Sequence, residues 1–590
     1  MPTAIAPPHW DLTPFFPGID SPEFLLAFSK FQEKIAGAER MWDAEGITSS
    51  KGTVEENQVI QALDTLNELF KDATLISAYL ECLVTTNSKD AISAARASEN
   101  DALNARVSKL HTRFALWIGG IDLSKWISKP GPLADHAFAL QRLQRRAKHL
   151  MEPRLEALVS DLRLSGSTAW SKLHSNVTSQ LVASVDGETL PMASVRNLAT
   201  HADRSVRRTA YLAELKTWKE REVTLAACLN GIKGEVNTLV QSRNWQSPLE
   251  EALFNANIDS DTLNAMMTAA QESFPVFRRY LKAKAKLLGM EKLSFYDIFA
   301  PVAGGAKHWG YGDACEFVAA NFYRFSNRMG EFASRTFQEN WIDAEAREGK
   351  VGGAYCTPVR NEESRILMNY EPSYGSVSTL AHELGHAYHN LCLFGRTPIQ
   401  SETPMTMAET ASIFCETIVK EAALESAEDA DKLDILEASL QGACQVVVDI
   451  SSRFFFEESV FHKRSGRELS ASEFCELMLD AQRRTYGDGL NEWEMHPYMW
   501  AAKPHYYSSY SFYNFPYMFG LLFGLGLYAI YRREPEAFRA RYDDLLGSTG
   551  LADVATLAKG FDIDVRDVSF WRASLAQVER DVARLESLVY

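Results

Sequence analysis

The chain is short of positive charge. Its 61 Lys and Arg face 77 Asp and Glu, a formal net charge of −16 over 590 residues. No basic patch with interleaved aromatic residues interrupts that excess, so no nucleic acid is expected as a partner. Long apolar runs are also missing. The longest, FPYMFGLLFGLGLYAIY over 515–531, is short for a bilayer span and contains Pro and several Gly. It reads as a buried helix, and no membrane association is expected. Cysteine is sparse and scattered: Cys82, Cys228, Cys315, Cys356, Cys392, Cys415, Cys444 and Cys475, with no C-x-x-C pair. The first residues, MPTAIAPPHWDLTPFF, show no basic segment followed by an apolar one, so no signal peptide is expected. Together these features point to free thiols in a reducing cytoplasm. Cys356 and Cys415 are expected to serve as small buried apolar groups and not in chemistry. No fixed-period repeat and no low-complexity tract stands out.

What is present is a soluble globular composition, 46% hydrophobic and 23% charged. The expected fold class is mainly α. Residues 21–42, 56–118, 134–163, 189–244 and 260–289 carry helix formers at helical spacing, and so do 312–343, 404–465 and 565–587. A boundary near SVDGETLPMASV, 185–195, divides an N-terminal helical region, 1–190, from a second part, 191–590, that carries every motif described below.

The most informative stretch is TLAHELGHAYHN, 379–390. His382 and His386 are four apart, so on a helix they share a face one turn apart, the geometry two metal ligands need. Glu383 lies roughly 100° round from His382. It sits beside a metal held there and not opposite it, where a carboxylate can accept a proton from water. This is the H-E-x-x-H pattern of zinc peptidases. Leu380, Leu384, Ala387 and Leu391 form an apolar stripe on another face.

Catalytic zinc sites keep three protein ligands and an open position. His389 shares the face but lies about 10 Å along the axis from His382. Without a helix-breaking Gly it reaches the site poorly, and it is expected to be a supporting or surface group. The better third ligand is Glu409. It follows His386 by 23 residues, in a segment, 404–424, that opens on Pro and continues with helix formers. Glu416, two turns further on, is either a carboxylate holding an imidazole N–H or a solvated helix charge.

Four segments give the chain a resemblance to the thimet oligopeptidase and oligoendopeptidase F family of zinc metallopeptidases, on the oligoendopeptidase F side. TLAHELGHAYH (379–389) resembles the family's metal helix and MAETASIFCE (407–416) its third-ligand helix. GKVGGAYCTP (349–358) with RILMNY (365–370) resembles the hairpin before the metal helix, and KPHYYSSYSFYNFPYMFG (503–520) a His/Tyr segment that covers the site. LSFYDIFAPV (293–302) also fits. The resemblance spans about 200–590. It implies a two-lobed helical peptidase of the gluzincin type, with a deep substrate channel and a small β-hairpin or sheet beside the metal helix. Implied roles follow: His382, His386 and Glu409 as ligands of one Zn2+, Glu383 as general base, and His505 with Tyr510 or Tyr513 stabilising the oxyanion. Phe515 stands where related sequences often have Tyr, which leaves the exact phenol open. Most tyrosines of this segment are expected to fill core. The hairpin, through Gly352, Gly353, Ala354 and Tyr355, would pair with an extended peptide; alternatively its glycines serve only a turn or bulge.

The expected activity is hydrolysis of internal bonds in short, unstructured peptides. Two rivals stay open. A zinc carboxypeptidase or dipeptidyl carboxypeptidase would also use such a scaffold, but needs a cation placed to receive the substrate C-terminus, which the sequence does not locate. A non-enzymatic peptide-binding scaffold would not need H-E-x-x-H, Glu409 and His505 together.

Overall fold

Helices dominate this chain because their caps and apolar spacings agree. The side chain of Ser21 accepts from the Phe24 amide at the start of Pro22–Ala44. Asp90 does the same for Ala91–Gly119, Asp203 for Arg204–Ser242 and Asp259 for Ser260–Leu287. The computed structural model describes residues 6–47, 54–302 and 307–590. Residues 1–5 of the N-terminal stretch discussed above lie outside the described residues.

The chain divides into two compact units, each built from three stretches. The first comprises Met1–Leu150, Lys307–Glu425 and Ile530–Phe561; the second comprises Met151–Ala306, Ser426–Ala529 and Asp562–Tyr590. Each unit draws on sequence from both sides of residue 190.

In the first unit, Pro22–Ala44, Glu56–Thr86 and Ala91–Gly119 enclose an apolar core that includes Phe24, Phe31, Trp42, Leu63, Leu66, Phe114 and Ile118. Beside them is a three-stranded sheet. Glu363–Leu367 is its central strand, parallel to Ile342–Asp343 and antiparallel to Tyr355–Arg360. Tyr355 pairs with Leu367 and Cys356 with Ile366, and the register slips between Pro358 and Arg360. Tyr355–Arg360 is therefore an edge strand, where a Pro is tolerated. The helix Tyr374–Cys392 packs on both longer strands, and Glu56–Thr86 packs on the edge strand.

In the second unit, Ser260–Leu287 lies along Val568–Val589, which also contacts Asp429–Cys444. The hairpin Val182–Val185 with Glu188–Pro191 turns through Asp186 and Gly187, both at positive φ. This corrects the helical expectation for 189–191. The Asp-Gly dipeptide is the sequence signal for such a two-residue turn. Likewise 342–343, expected to be helical, form a strand. The apolar run forms the helix Phe515–Arg533, with Met518, Phe519, Leu522, Phe523 and Leu527 fully buried. Among the described residues no helix is long and apolar enough to cross a membrane.

Candidate metal centre

The helix Tyr374–Cys392 starts at Ser373, whose side chain accepts from the Ser376 amide. Leu380, Leu384 and Ala387 are buried and anchor one face. Leu391, the last of the expected stripe, is half-buried. With that face fixed, His382 and His386 project together, their ring centroids 4.9 Å apart.

The segment expected as one helix over 404–424 is broken at its functional residue. A single turn, Met405–Ala408, precedes Glu409, and the long helix Thr410–Ser426 follows it. The break aims the Glu409 carboxylate at both imidazoles. Its Oε2 lies 3.2 Å from His382 Nε2 and 3.3 Å from His386 Nε2. Ser412 donates to the same oxygen at 2.7 Å. Ligand atoms of the three residues all fall within 4.8 Å of one another.

Glu416 is not a solvated charge. Its Oε2 accepts from His382 Nδ1 at 3.2 Å, and its Oε1 accepts from Ser378 at 2.9 Å. The contact fixes the His382 tautomer, leaving Nε2 to face Glu409. Burial disfavours a charged His382, but Glu409 and Glu416 outweigh it and raise its pKa to about 10. Burial also opposes the charge on Glu409, yet the two imidazoles hold its carboxyl well below the usual range. Two imidazole Nε2 atoms and the Glu409 carboxylate at these distances call for a cation among them. The residues fit a divalent metal taking two nitrogens and one carboxylate oxygen.

Glu383 faces a different environment. Its side chain is 5% exposed and its Oε2 makes no hydrogen bond. Burial raises its pKa, against the pull of His382 and His386. Buried carboxylates with a raised pKa are found preferentially at functional sites.

One supporting residue, Gly385, escaped the sequence reading. A Cβ on Gly385 would sit 2.6 Å from Ser412 Cα and 2.7 Å from the Ala411 carbonyl oxygen. Glycine is therefore what lets the two helices approach closely enough for Glu409 to reach; its signal was the G inside H-E-L-G-H. His389 is a correction to the surface alternative. It is buried, bonded to Thr549 Oγ1 at 2.9 Å, and burial lowers its pKa to about 4. It also interacts with the carbonyl of Ala408, the residue before Glu409.

The stretch before the edge strand is tied down. Lys350 ion-pairs with Asp343 at 2.8 Å and donates to the Met368 carbonyl. Val351 N donates to Thr85 O, and Asn369 donates to the carbonyls of Val351 and Gly353. Gly352 and Gly353 lie in this approach, outside the hairpin turn, which passes through Asn361 at positive φ. Gly353 has φ +85°, and a Cβ on either glycine would meet open space. Tyr355 bonds Thr85 through its hydroxyl at 2.7 Å.

The His/Tyr segment belongs to the second unit. His505 lies in the turn Pro504–Tyr507, and its Nε2 is buried without a hydrogen bond. Burial, with Arg453, Lys503 and Lys233, lowers its pKa to about 3. Tyr506 and Tyr507 are core, whereas Tyr510 is 69% and Tyr513 37% exposed. Tyr513 and Tyr517 hydroxyls meet at 2.9 Å. Phe512 sits at φ +53°, rare for a bulky residue. Its amide donates to Glu457, which forms a buried ion pair with Lys233 at 2.7 Å. No local sequence pattern announces that brace.

Comparison with known proteins adds three findings. Residues 197–577 match the family model for Peptidase family M3, and 119–182 match that for Oligopeptidase F. The chain is 23% identical over 575 residues to an oligoendopeptidase F homolog of Lactococcus lactis subsp. lactis, covering 93% of this chain and 95% of the relative. It is 23% identical over 507 residues to the oligopeptidase PepF of Bacillus subtilis, covering 82% and 75%. Its fold matches the crystal structure of oligoendopeptidase-F from Enterococcus faecium with a TM-score of 0.69 at 19% identity, covering 96% and 99%.

Proposed function

The chain belongs to Peptidase family M3, and on that footing we propose that it is a zinc-dependent oligoendopeptidase hydrolysing internal bonds of short, unstructured peptides. The observation that carries this reading is the convergence of His382, His386 and Glu409 ligand atoms within 4.8 Å. His382 Nε2, His386 Nε2 and the Glu409 carboxylate would hold one zinc, which when bound acts as a Lewis acid on the scissile carbonyl and makes water a stronger acid.

The chain's own residues do the rest. Glu383 takes the proton from the attacking water and returns it to the leaving amine; its raised pKa suits both steps. Glu416 holds His382 in the tautomer that presents Nε2. His505 is neutral and has a free ring nitrogen, so it serves as an N–H donor to the developing oxyanion, aided by the phenol of Tyr510 or Tyr513. Gly352, Gly353, Ala354 and Tyr355 lead into the edge strand and offer backbone groups to an extended peptide. We assign catalysis to 191–590, with 1–190 as an N-terminal helical region, in a cytoplasmic protein with no nucleic-acid or membrane partner.

The test is turnover of an internally quenched peptide blocked at both ends, before and after chelation and zinc restoration, with products mapped by mass spectrometry. Internal cleavage that stops on chelation and returns with zinc is expected. Loss of cleavage on blocking the C-terminus would instead favour a carboxypeptidase.

A further inference from the structure

The second unit contains a cavity of about 410 Å³, within the range of small-ligand sites. One of its walls includes Gln445 and Asp449, the ends of a π-helical turn, Gln445–Asp449. Such turns inside helices are frequent at functional sites. Lys503, Arg196, Arg207, Glu214 and His496 also line it.

Most charges on that lining are already matched. Arg196 pairs with Glu214 at 3.2 Å. Glu214 also accepts from Trp218 at 3.0 Å and lies 3.3 Å from His496 Nε2. Arg207 is held by Asp297 through two nitrogens, at 3.2 and 2.9 Å. Asp449 is engaged by Arg453. Lys503 is different: among the described residues no carboxylate lies within ion-pair distance of its ammonium. Burial lowers its pKa to about 8; Asp449 opposes the shift, while Arg453 and Arg196 reinforce it. His496 is 2% exposed; its Nε2 faces Glu214, and its Nδ1 makes no hydrogen bond. A buried polar group without a partner is costly, and so is a desolvated charge. Both costs fall if an anion occupies the cavity. The remaining wall is largely apolar and includes the rings of Tyr211, Phe295 and Tyr296.

We propose that this cavity is a carboxylate-binding site, in which Lys503 receives the carboxylate, His496 lies beside it as a donor, and the apolar wall takes an apolar side chain. Its ligand class is a carboxylate on an apolar body. Two sources share that chemistry: the C-terminal residue of a short peptide, and a free small carboxylate such as a cleavage product. The first source rests on the peptidase reading given above; the second does not. Lys503 immediately precedes the turn Pro504–Tyr507 that carries His505, so occupancy bears directly on that segment.

The experiment is isothermal titration of the full chain with N-acetyl-phenylalanine and its neutral amide, at pH 7 where Lys503 carries its charge. The carboxylate should bind at least tenfold more tightly than the amide, the equivalent of one charge-assisted hydrogen bond. Lys503→Met should abolish that preference and Lys503→Arg should keep it, with circular dichroism and metal content unchanged in both. Equal binding of acid and amide, or a preference that survives in Lys503→Met, overturns the proposal. Neither measurement needs turnover, so failure of the peptidase reading would leave it intact. A kinetic arm then separates the sources. A tenfold rise in KM on amidating a peptide substrate identifies the substrate's own C-terminus. An unchanged KM, with rates altered by added N-acetyl-phenylalanine, identifies a free carboxylate.

Discussion

In the first unit His382 lies against the carboxylates of Glu409 and Glu416, which outweigh its burial and raise its pKa to about 10. In the second, His505 is buried among Arg453, Lys503 and Lys233, and its pKa falls to about 3. The side chain is the same; carboxylates override burial at His382, whereas burial and cations act together at His505. One imidazole is built to hold a cation, whether a proton or a metal. The other is disfavoured as a cation, and its Nε2 makes no hydrogen bond, as the proposed N–H donor requires. Burial and neighbouring charge, more than residue type, set the two imidazoles apart.

The strongest way to break this division is to remove the proposed proton carrier while keeping the metal cluster. Glu383→Gln preserves size and shape but cannot accept a proton at neutral pH. Turnover of a quenched peptide should fall by about 10²–10⁴ or more, with metal content at the parent level. A variant still working at a tenth of the parent rate would remove Glu383 from the mechanism, although its unsatisfied Oε2 and raised pKa would remain to be explained.

The cation side of the comparison is sharpened by a pair of variants read by elemental analysis. Glu409→Gln removes the one charged ligand and should leave purified protein nearly metal-free. Glu416→Ala should weaken metal affinity by about 10–100-fold, because it only orients His382. His389→Ala should keep its metal, since that imidazole is committed to Thr549. It should lower stability by about 1–3 kcal/mol through the partners left unsatisfied. An empty site in His389→Ala, with a filled one in Glu409→Gln, would reverse the ligand assignment.

These two regions also differ in how far the sequence exposed them. His382, Glu383 and His386 sit on one regular helix, where a spacing of four residues is itself a geometry. Glu416 was half-visible for the same reason: seven residues from Glu409 suggested the right face, but only the His382 contact decided its use. Gly385 was missed because its meaning lies in what it faces, the backbone at Ser412. The His/Tyr segment has no such periodicity. Its turn Pro504–Tyr507, the left-handed Phe512 and the Glu457–Lys233 brace depend on residues far apart in sequence. Residue types there could suggest a role, but not which phenol is free. Strands of two to five residues at 342–343, 188–191 and 363–367 were read as helix or partly read, because so short a run carries little periodicity.

Gly385 allows a test of whether helix approach sets the metal centre. Gly385→Ala places a methyl within 2.6 Å of Ser412 Cα, and backbone on both sides must shift. Overpacking of this kind costs about 1–3 kcal/mol. We expect lower thermal stability and a weaker metal affinity together, because the shift moves Glu409 away from the imidazoles. Lost stability with unchanged metal affinity would mean the carboxylate follows the helix without strain.

The smallest effect concerns the neutral imidazole and its dependence on acid. A histidine whose folded pKa is depressed refuses a proton that the unfolded chain accepts. Below the ordinary value near 6.5, the unfolded state binds more protons than the folded one, so stability falls as pH falls, down to about 3 for His505. One such group contributes a slope of at most about 1.4 kcal/mol per pH unit across that window. His389 and His174 are depressed by burial as well and add slopes of their own, so the parent alone cannot isolate the contribution. The difference between parent and His505→Gln can. Urea unfolding at pH 7 and pH 4.5 should show the variant losing less stability than the parent over that interval, with the two differing little in slope above pH 7. If both lose stability equally between pH 7 and 4.5, His505 protonates in the fold as an ordinary histidine does. Burial and its cationic neighbours would then not be keeping it neutral, and the contrast with His382 would reduce to the carboxylates alone.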